Sequence, residues 1–251
     1  MQWALGYREY RPPAALREAV YCTWTTVVPP GGAPTIVLPD ACTDLIWQSG
    51  RGVFIAGPDT GPVHADLPPG TVLAGVRLRP GAGPALGIPL TELLNQRVDA
   101  QDFETGHGPE LYRRLPGSLP PPVALRRLSA IVSGMVAAAP PDPLVSRAAV
   151  LLRDPAARTA GIAAEIGVSE RQLLRRSHVA AGYGPATLHR VLRFRRFVSR
   201  LDAAVDRPDL ARIAAEAGYA DQAHLTRECG RLAGLPPGEL ARARRPDLRA
   251  G

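Results

Sequence analysis

Hydrophobic and polar positions follow one pattern before residue 80 and another after residue 140. In the first stretch, apolar and β-branched residues come in short runs cut by Gly and Pro, at 19–28, 35–38, 44–48, 53–56 and 71–79. The run Val72-x-Ala74-x-Val76-x-Leu78 alternates strictly, as a strand with one face in a core does. Five or more such strands predict a sandwich or a small barrel. A short helix is expected over 89–95. Between 124 and 138, Leu125, Leu128, Ile131, Val132 and Met135 recur at helical spacing. That helix could pack on the barrel or form a contact between two copies of the chain.

After the Pro-rich stretch 139–143 the pattern is helical throughout, with readable ends. Ser169 is placed to cap a helix over 170–181, and Gly182 to stop it. Pro185 suits the first turn of a long helix reaching about residue 201. Asp209 can cap 210–217 before Gly218, and Asp221 can cap 222–233 before Gly234. Pro236-Pro237 opens a last short helix through residue 243.

This half contains an internal repeat. Ile162-Ala163-x-x-Ile166-Gly167 recurs as Ile213-Ala214-x-x-Ala217-Gly218, and Leu173-x-Arg175 recurs as Leu225-x-Arg227. Gly182 with Pro185 likewise recurs as Gly234 with Pro237. Each unit reads as a short helix, a turn after Gly, and a longer helix with Arg near its middle. A helix-turn-helix requires these features: Ala lets the helices cross closely, Gly turns the chain, and the second helix presents polar residues outward.

Charge sharpens the division. The chain has 251 residues and a formal net charge of +7. Residues 1–140 hold 11 Arg and 11 acidic residues, whereas 141–251 hold 19 Arg and 12 acidic residues. All the excess positive charge therefore lies in the second half, which suits an anionic partner such as nucleic acid for that half alone. The expected domains are 1–140 and 141–251. The longest uncharged run, 19–39, is broken by Pro29-Pro30-Gly31-Gly32, so no membrane-spanning helix is expected. The N-terminus has no basic segment leading into an apolar one, and the three Cys (Cys22, Cys42, Cys229) show neither metal-ligand spacing nor a paired framework. These features suit a cytoplasmic protein, with no cofactor and no metal expected.

The motifs Ile162-Ala163-Ala164-Glu165-Ile166-Gly167-Val168-Ser169, Gly182-Tyr183-Gly184-Pro185 and Leu192-Arg193-Phe194-Arg195-Arg196-Phe197, with Ile213 to Leu225 in the second unit, resemble the AraC/XylS transcriptional regulators. The resemblance covers about residues 143–245. Pieces of the first half (Tyr7 to Pro13, Val37 to Ile46, Gly75 to Gly81) are similar to sensor regions in an actinobacterial-looking branch of these regulators. The resemblance implies a two-domain protein. Its N-terminal part would be a β-rich, cupin-like barrel (α+β) acting as sensor. Its C-terminal part would be all-α, with two helix-turn-helix units joined by a long linker helix.

By that resemblance, double-stranded DNA is the partner, and the base-facing residues are Arg171, Leu174 and Arg175 in the first unit and Gln222, Ala223, His224 and Arg227 in the second. Arg can grip a guanine edge and Gln an adenine edge with two bonds each. Ser169, Arg176, Arg190, Arg193, Arg195 and Arg196 are read as phosphate or surface groups, although some of Arg193, Arg195 and Arg196 could pair inside the domain instead. Ile162, Ile166, Leu173, Phe194, Phe197, Ile213 and Leu225 are read as core. Where the family usually carries an aromatic late in the first recognition helix, this chain has Ser177, and the matching second position is Cys229.

The first half concentrates aromatic residues (Trp3, Trp24, Trp47, Tyr7, Tyr10, Tyr21), which could line an apolar ligand cavity or simply pack the core. Trp24, Cys42, Trp47 and Arg77 are the candidate pocket residues for a small-molecule effector, with Asp40, Asp44 and Arg79 as further orienting charges or internal ion pairs. Cys22, Cys42 and His64 leave a thiol or metal sensor as a remote alternative. Two other readings stay open: a regulator without effector whose first half only makes a homodimer, and a Cys-based alkyl-transfer enzyme. The second lacks the Cys-rich zinc site that chemistry needs, and no nucleophile motif or phosphate loop is visible, so the chain is read as a non-enzyme.

Overall fold

The computed structural model describes residues 6–30, 35–103, 107–204 and 208–244. Eight strands occur among them: β1 (Arg8–Tyr10), β2 (Val20–Val27), β3 (Thr35–Val37), β4 (Thr43–Gln48), β5 (Gly52–Ala56), β6 (Val63–Ala65), β7 (Val72–Leu78) and β8 (Arg97–Asp99). Six form an antiparallel sheet in the order β1-β2-β7-β4-β5-β8, and β3 and β6 form a separate two-stranded ribbon. The described strands therefore make a half-open barrel, with sheet and ribbon on either side of a cavity.

Alternation along the strands assigns the two faces of the sheet. Leu45, Trp47, Val53, Ile55, Ala74, Val76 and Leu78 pack in one core with Leu128, Ile131 and Val132 of helix α2 (Pro121–Ala138). The residues between them, including Ile46, Phe54, Ala56 and Leu73, join Cys22 and Trp24 on the other face, toward the cavity. A register shift between Val20 and Cys22 makes β2 change sides, so Val20 packs in the α2 core while Cys22 packs with Trp24, Ile46 and Phe54 on the opposite face, where Trp24 lines the cavity. Gly75 belongs to that second face. A Cβ there would meet the Trp24 ring at 2.4 Å, so only glycine lets the indole lie on the sheet.

Three strands (β1, β6, β8) and helix α1 (Gly108–Arg114) were not legible in the pattern. The strands are three residues long, too short for a period of two to register. The helix expected over 89–95 is a single 3-10 turn, Leu90–Leu93. Helix α2 starts at Pro121, earlier than the apolar stripe suggests, because Pro is tolerated in a first helical turn. Its apolar face is buried on the sheet, which accounts for the stripe. Trp3 lies outside the described residues.

The remaining helices are α3 (Pro143–Leu151), α4 (Thr159–Glu165), α5 (Glu170–Ala181), α6 (Pro185–Ala203), α7 (Leu210–Ala217), α8 (Gln222–Ala233) and α9 (Pro237–Arg244). Their caps match the sequence. Ser169 accepts from the amide of Gln172 (3.1 Å), Asp209 from those of Ala211 and Arg212, and Asp221 from that of His224 (2.6 Å). Gly182, Gly218 and Gly234 end their helices in the left-handed conformation. Phe194, Phe197, Ile162, Leu173, Ile213 and Leu225 share one buried core, and Ile166 packs half-buried against it. No single helix among the described residues is long and apolar enough to cross a membrane.

Candidate nucleic-acid interface and ligand cavity

The repeat read in the sequence is a repeat in space. In both units the turn after the first helix closes alike: the amide of Val168 bonds to the carbonyl of Ala163, and that of Tyr219 to the carbonyl of Ala214, each at 3.0 Å. Gly167 and Gly218 supply the positive φ (74° and 92°) that this turn needs. Helices α5 and α8 follow as the second helices of the two units, and α6 joins the units.

Arg171, Leu174 and Arg175 are exposed on α5, with Leu174 46% exposed, a large apolar side chain facing solvent. Gln222, Ala223 and Arg227 are exposed on α8, and His224 is half-buried. Tyr219 meets the His224 ring edge-on at 5.2 Å, and Arg193 lies 3.4 Å from His224 Nε2. No ion pair engages Arg171, Arg175 or Arg227 among the described residues.

The arginines read as phosphate or surface groups fall in different places. Ser169 caps α5 and is exposed. Arg176 donates to Asp142, the cap of α3, at 2.7 Å. Arg190 and Arg193 both reach the buried carboxylate of Glu228 (3.5 and 3.9 Å), and Arg193 also stacks over Tyr219. Arg196 donates to the carbonyl of Ala217. Arg195 turns toward the first half of the chain, over the ring of Tyr21 and within 3.5 Å of the Asp40 carbonyl. Glu228 is a residue that sequence reasoning missed. It ties the linker helix to α8, and only the crossing of those helices brings it to Arg190.

Ser177 and Cys229 are both fully buried beneath their helices. Burial pushes the Cys229 thiol up to about 12, and Cys22 likewise, so neither forms a thiolate near neutral pH. Cys42 is buried with its thiol also pushed up, its amide bonded to Asp40. No group of three or more His, Cys, Asp or Glu among the described residues could hold a metal ion.

Between sheet, ribbon and α6 lies a cavity of about 610 Å³. Of the four residues predicted to line it, Trp24 and Arg77 do so. Trp47 points to the opposite face, donating to the carbonyl of Pro116 at 3.0 Å, and Cys42 is not in the wall. The register explains Trp47, since a strand residue one position from Ile46 faces the other way. Inside the cavity, Trp24 Nε1 donates to Asp44 at 2.7 Å, and Arg77 bonds the same carboxylate and reaches Asp40 at 3.4 Å. Burial raises the Asp44 pKa and Arg77 opposes that rise, while the facing carboxylates hold Arg77 well above its ordinary value against its own burial. Phe194, Arg195, Val198, Ser199 and Asp202 of α6 form the side of the cavity next to the helical half.

Two family models match the chain. Residues 8–99 match a domain of unknown function (DUF6597), and residues 162–243 match a helix-turn-helix domain. No curated protein sequence matches. Among solved structures, ToxT from Vibrio cholerae is similar over 95% of this chain and 98% of that one, at 10% identity and a TM-score of 0.47. A ToxT structure from Vibrio cholerae O395 covers 88% and 97%, at 12% identity and a TM-score of 0.48. One from strain SCE256, bound to an unsaturated fatty acid, covers 84% and 90%, at 11% identity and a TM-score of 0.44. Its tandem units, capped second helices and joining helix agree with the matched model, and the C-terminal part of this chain is a helix-turn-helix domain of the AraC type, attached to a β-rich domain that matches the family of unknown function.

Proposed function

We propose that this protein is a transcription regulator that reads specific duplex DNA with α5 and α8 and answers to a small molecule held in the cavity. The observation that carries the reading is the matched placement of Arg175 and Arg227. They occupy equivalent positions of the two units, are exposed, and have no ion pair among the described residues, whereas Arg190 and Arg193 of the linker helix are engaged by Glu228. Side chains left unpaired at repeated outward positions suit contacts made only when DNA arrives. Arg171, Leu174, Gln222, Ala223 and His224 complete the base-facing set. Ser169 supplies a phosphate contact, while Arg176, Arg190, Arg193 and Arg196 hold the helices in place and Arg195 ties α6 to the first half of the chain. A division near Pro140 separates the sensing part from the DNA-reading part.

The cavity supports the ligand-responsive half of the reading. One of its sides is α6, the helix that spaces the two units, so an occupant touches the element that sets their relative orientation. The test is a footprint on selected operator DNA. Arg175→Ala and Arg227→Ala are each expected to cost roughly 1–3 kcal/mol and relax base preference at one position. An unchanged sequence preference after both substitutions overturns the assignment.

A further inference from the structure

Three residues stand in a row across the cavity face of the sheet. Leu73 of β7 is in register with Thr26 of β2 on one side and with Gln48 of β4 on the other. Adjacent strands are about 4.8 Å apart, so the backbones of Thr26 and Gln48 are roughly 10 Å apart with Leu73 between them. All three line the cavity. Thr26 Oγ1 and Gln48 Oε1 are buried, and neither has a hydrogen-bond partner. Buried polar atoms are nearly always satisfied, so two orphans lining one cavity call for a polar group from outside the chain. Trp24, Ile46 and Phe54 supply apolar surface around them.

Most charged groups of the same wall are engaged within the protein, and Asp66, which is exposed, has no ion pair among the described residues. Asp44, Asp40 and Glu9 gather on Arg77; Arg51 pairs with Asp99, Arg97 with Asp59 and Arg244 with Asp202. Arg195 lies over Tyr21 and against the Asp40 carbonyl. A carboxylate ligand pairing with Arg51, Arg77 or Arg97 would have to displace a resident carboxylate, and an ammonium ligand pairing with Asp40 or Asp44 would have to displace Arg77. Each exchange strips a buried charge of its partner.

Resting on the ligand-responsive reading above, we infer that the cavity takes an uncharged, largely apolar small molecule whose hydroxyl, carbonyl or amide group bonds to Thr26 and Gln48. The occupant's apolar body lies against Trp24, Ile46 and Phe54.

The experiment uses the full chain and three probes on one ring system: biphenylmethanol, biphenylcarboxylate and biphenylmethylammonium. Binding is read by tryptophan fluorescence and calorimetry. The alcohol is expected to bind most tightly, and Thr26→Val with Gln48→Leu to weaken it about tenfold while leaving Tm unchanged or higher, since no protein hydrogen bond is lost. Tighter binding of the carboxylate or the ammonium overturns the inference, as does alcohol binding indifferent to both substitutions, or no binding by any probe. The order of the three affinities in the unsubstituted protein decides the ligand class even if a variant fails to fold. Duplex DNA affinity is measured on the same preparations. Intact DNA binding beside a failed probe series sinks only the ligand class, whereas lost DNA binding sinks the regulator reading itself.

Discussion

Pro58 of the β-rich half rests against Gly182, the left-handed residue that ends α5. A Cβ on Gly182 would lie 2.5 Å from Pro58 Cγ, and its φ is +82°. The same loop reaches the second unit, where a Cβ on Gly234 would lie 3.4 Å from Pro62 Cγ. One short connection between β5 and β6 thus touches the C-terminal ends of both α5 and α8. Gly182→Ala is expected to destabilise the protein by at least about 1–2 kcal/mol from the left-handed backbone alone. Pairing it with Pro58→Ala should recover the steric part, as a coupling of roughly 0.5–3 kcal/mol in a urea-unfolding cycle. Strict additivity would show that the two residues do not press on one another.

The pair Asp44 and Arg77 is buried, and its geometry makes the two substitutions unequal to their sum. Arg77→Met leaves the Asp44 carboxylate in the sheet with only Trp24 donating to it. The expected cost is about 3–5 kcal/mol, and Asp44→Asn in the same chain should restore part of it. Equilibrium unfolding at neutral pH checks both values, and a loss below about 1 kcal/mol would mean that water reaches the site.

Ser177 carries an opposite expectation. It is fully buried under α5 and its Oγ has no hydrogen-bond partner. Ser177→Ala removes an unsatisfied hydroxyl at little loss of volume, so stability should rise by about 0.5–1 kcal/mol. Calorimetric Tm measures this, and a clear fall would reveal a partner for Oγ in solution.

His189 on α6 makes stability depend on pH. Burial, and then the nearby Arg193, hold its pKa below the ordinary value of 6.5. Above 6.5 both folded and unfolded chains keep it neutral, and its contribution is complete. As pH falls below 6.5 the unfolded chain takes up a proton that the folded chain refuses, so stability drops until the lower folded pKa is reached. His189→Leu should flatten the fall in Tm between about pH 7 and pH 5 relative to the parent. Parallel slopes would place the titration elsewhere.

The helical half was legible in detail because its information is local. Ser169, Asp209 and Asp221 cap the helices that follow them, Gly182, Gly218 and Gly234 stop them, and the repeat at Ile162 and Ile213 marks equivalent turns. Each of these depends on residues within a few positions of one another. Burial of Leu173, Leu225 and Phe194 followed from the same helical period. Of the arginines in the second half, Arg190 and Arg193 of α6 are held internally by Glu228, whereas Arg171 and Arg175 of α5 and Arg227 of α8 stay outward.

The cavity was not legible in this way. Composition marked Trp24 and Trp47 equally, yet they face opposite sides of the sheet. Register decides that, and register depends on how distant strands pair. Residues Thr26 and Gln48 carry no signal of their own in the chain; only their common alignment with Leu73 brings two unsatisfied atoms to one wall. The turning of Arg195 toward Tyr21, and of Pro58 toward Gly182, likewise joins residues more than 100 positions apart. Caps, turns and helical faces are set by neighbours in sequence and can be read there. Pockets and the contacts between domains are set by long-range packing, which the tertiary structure alone decides.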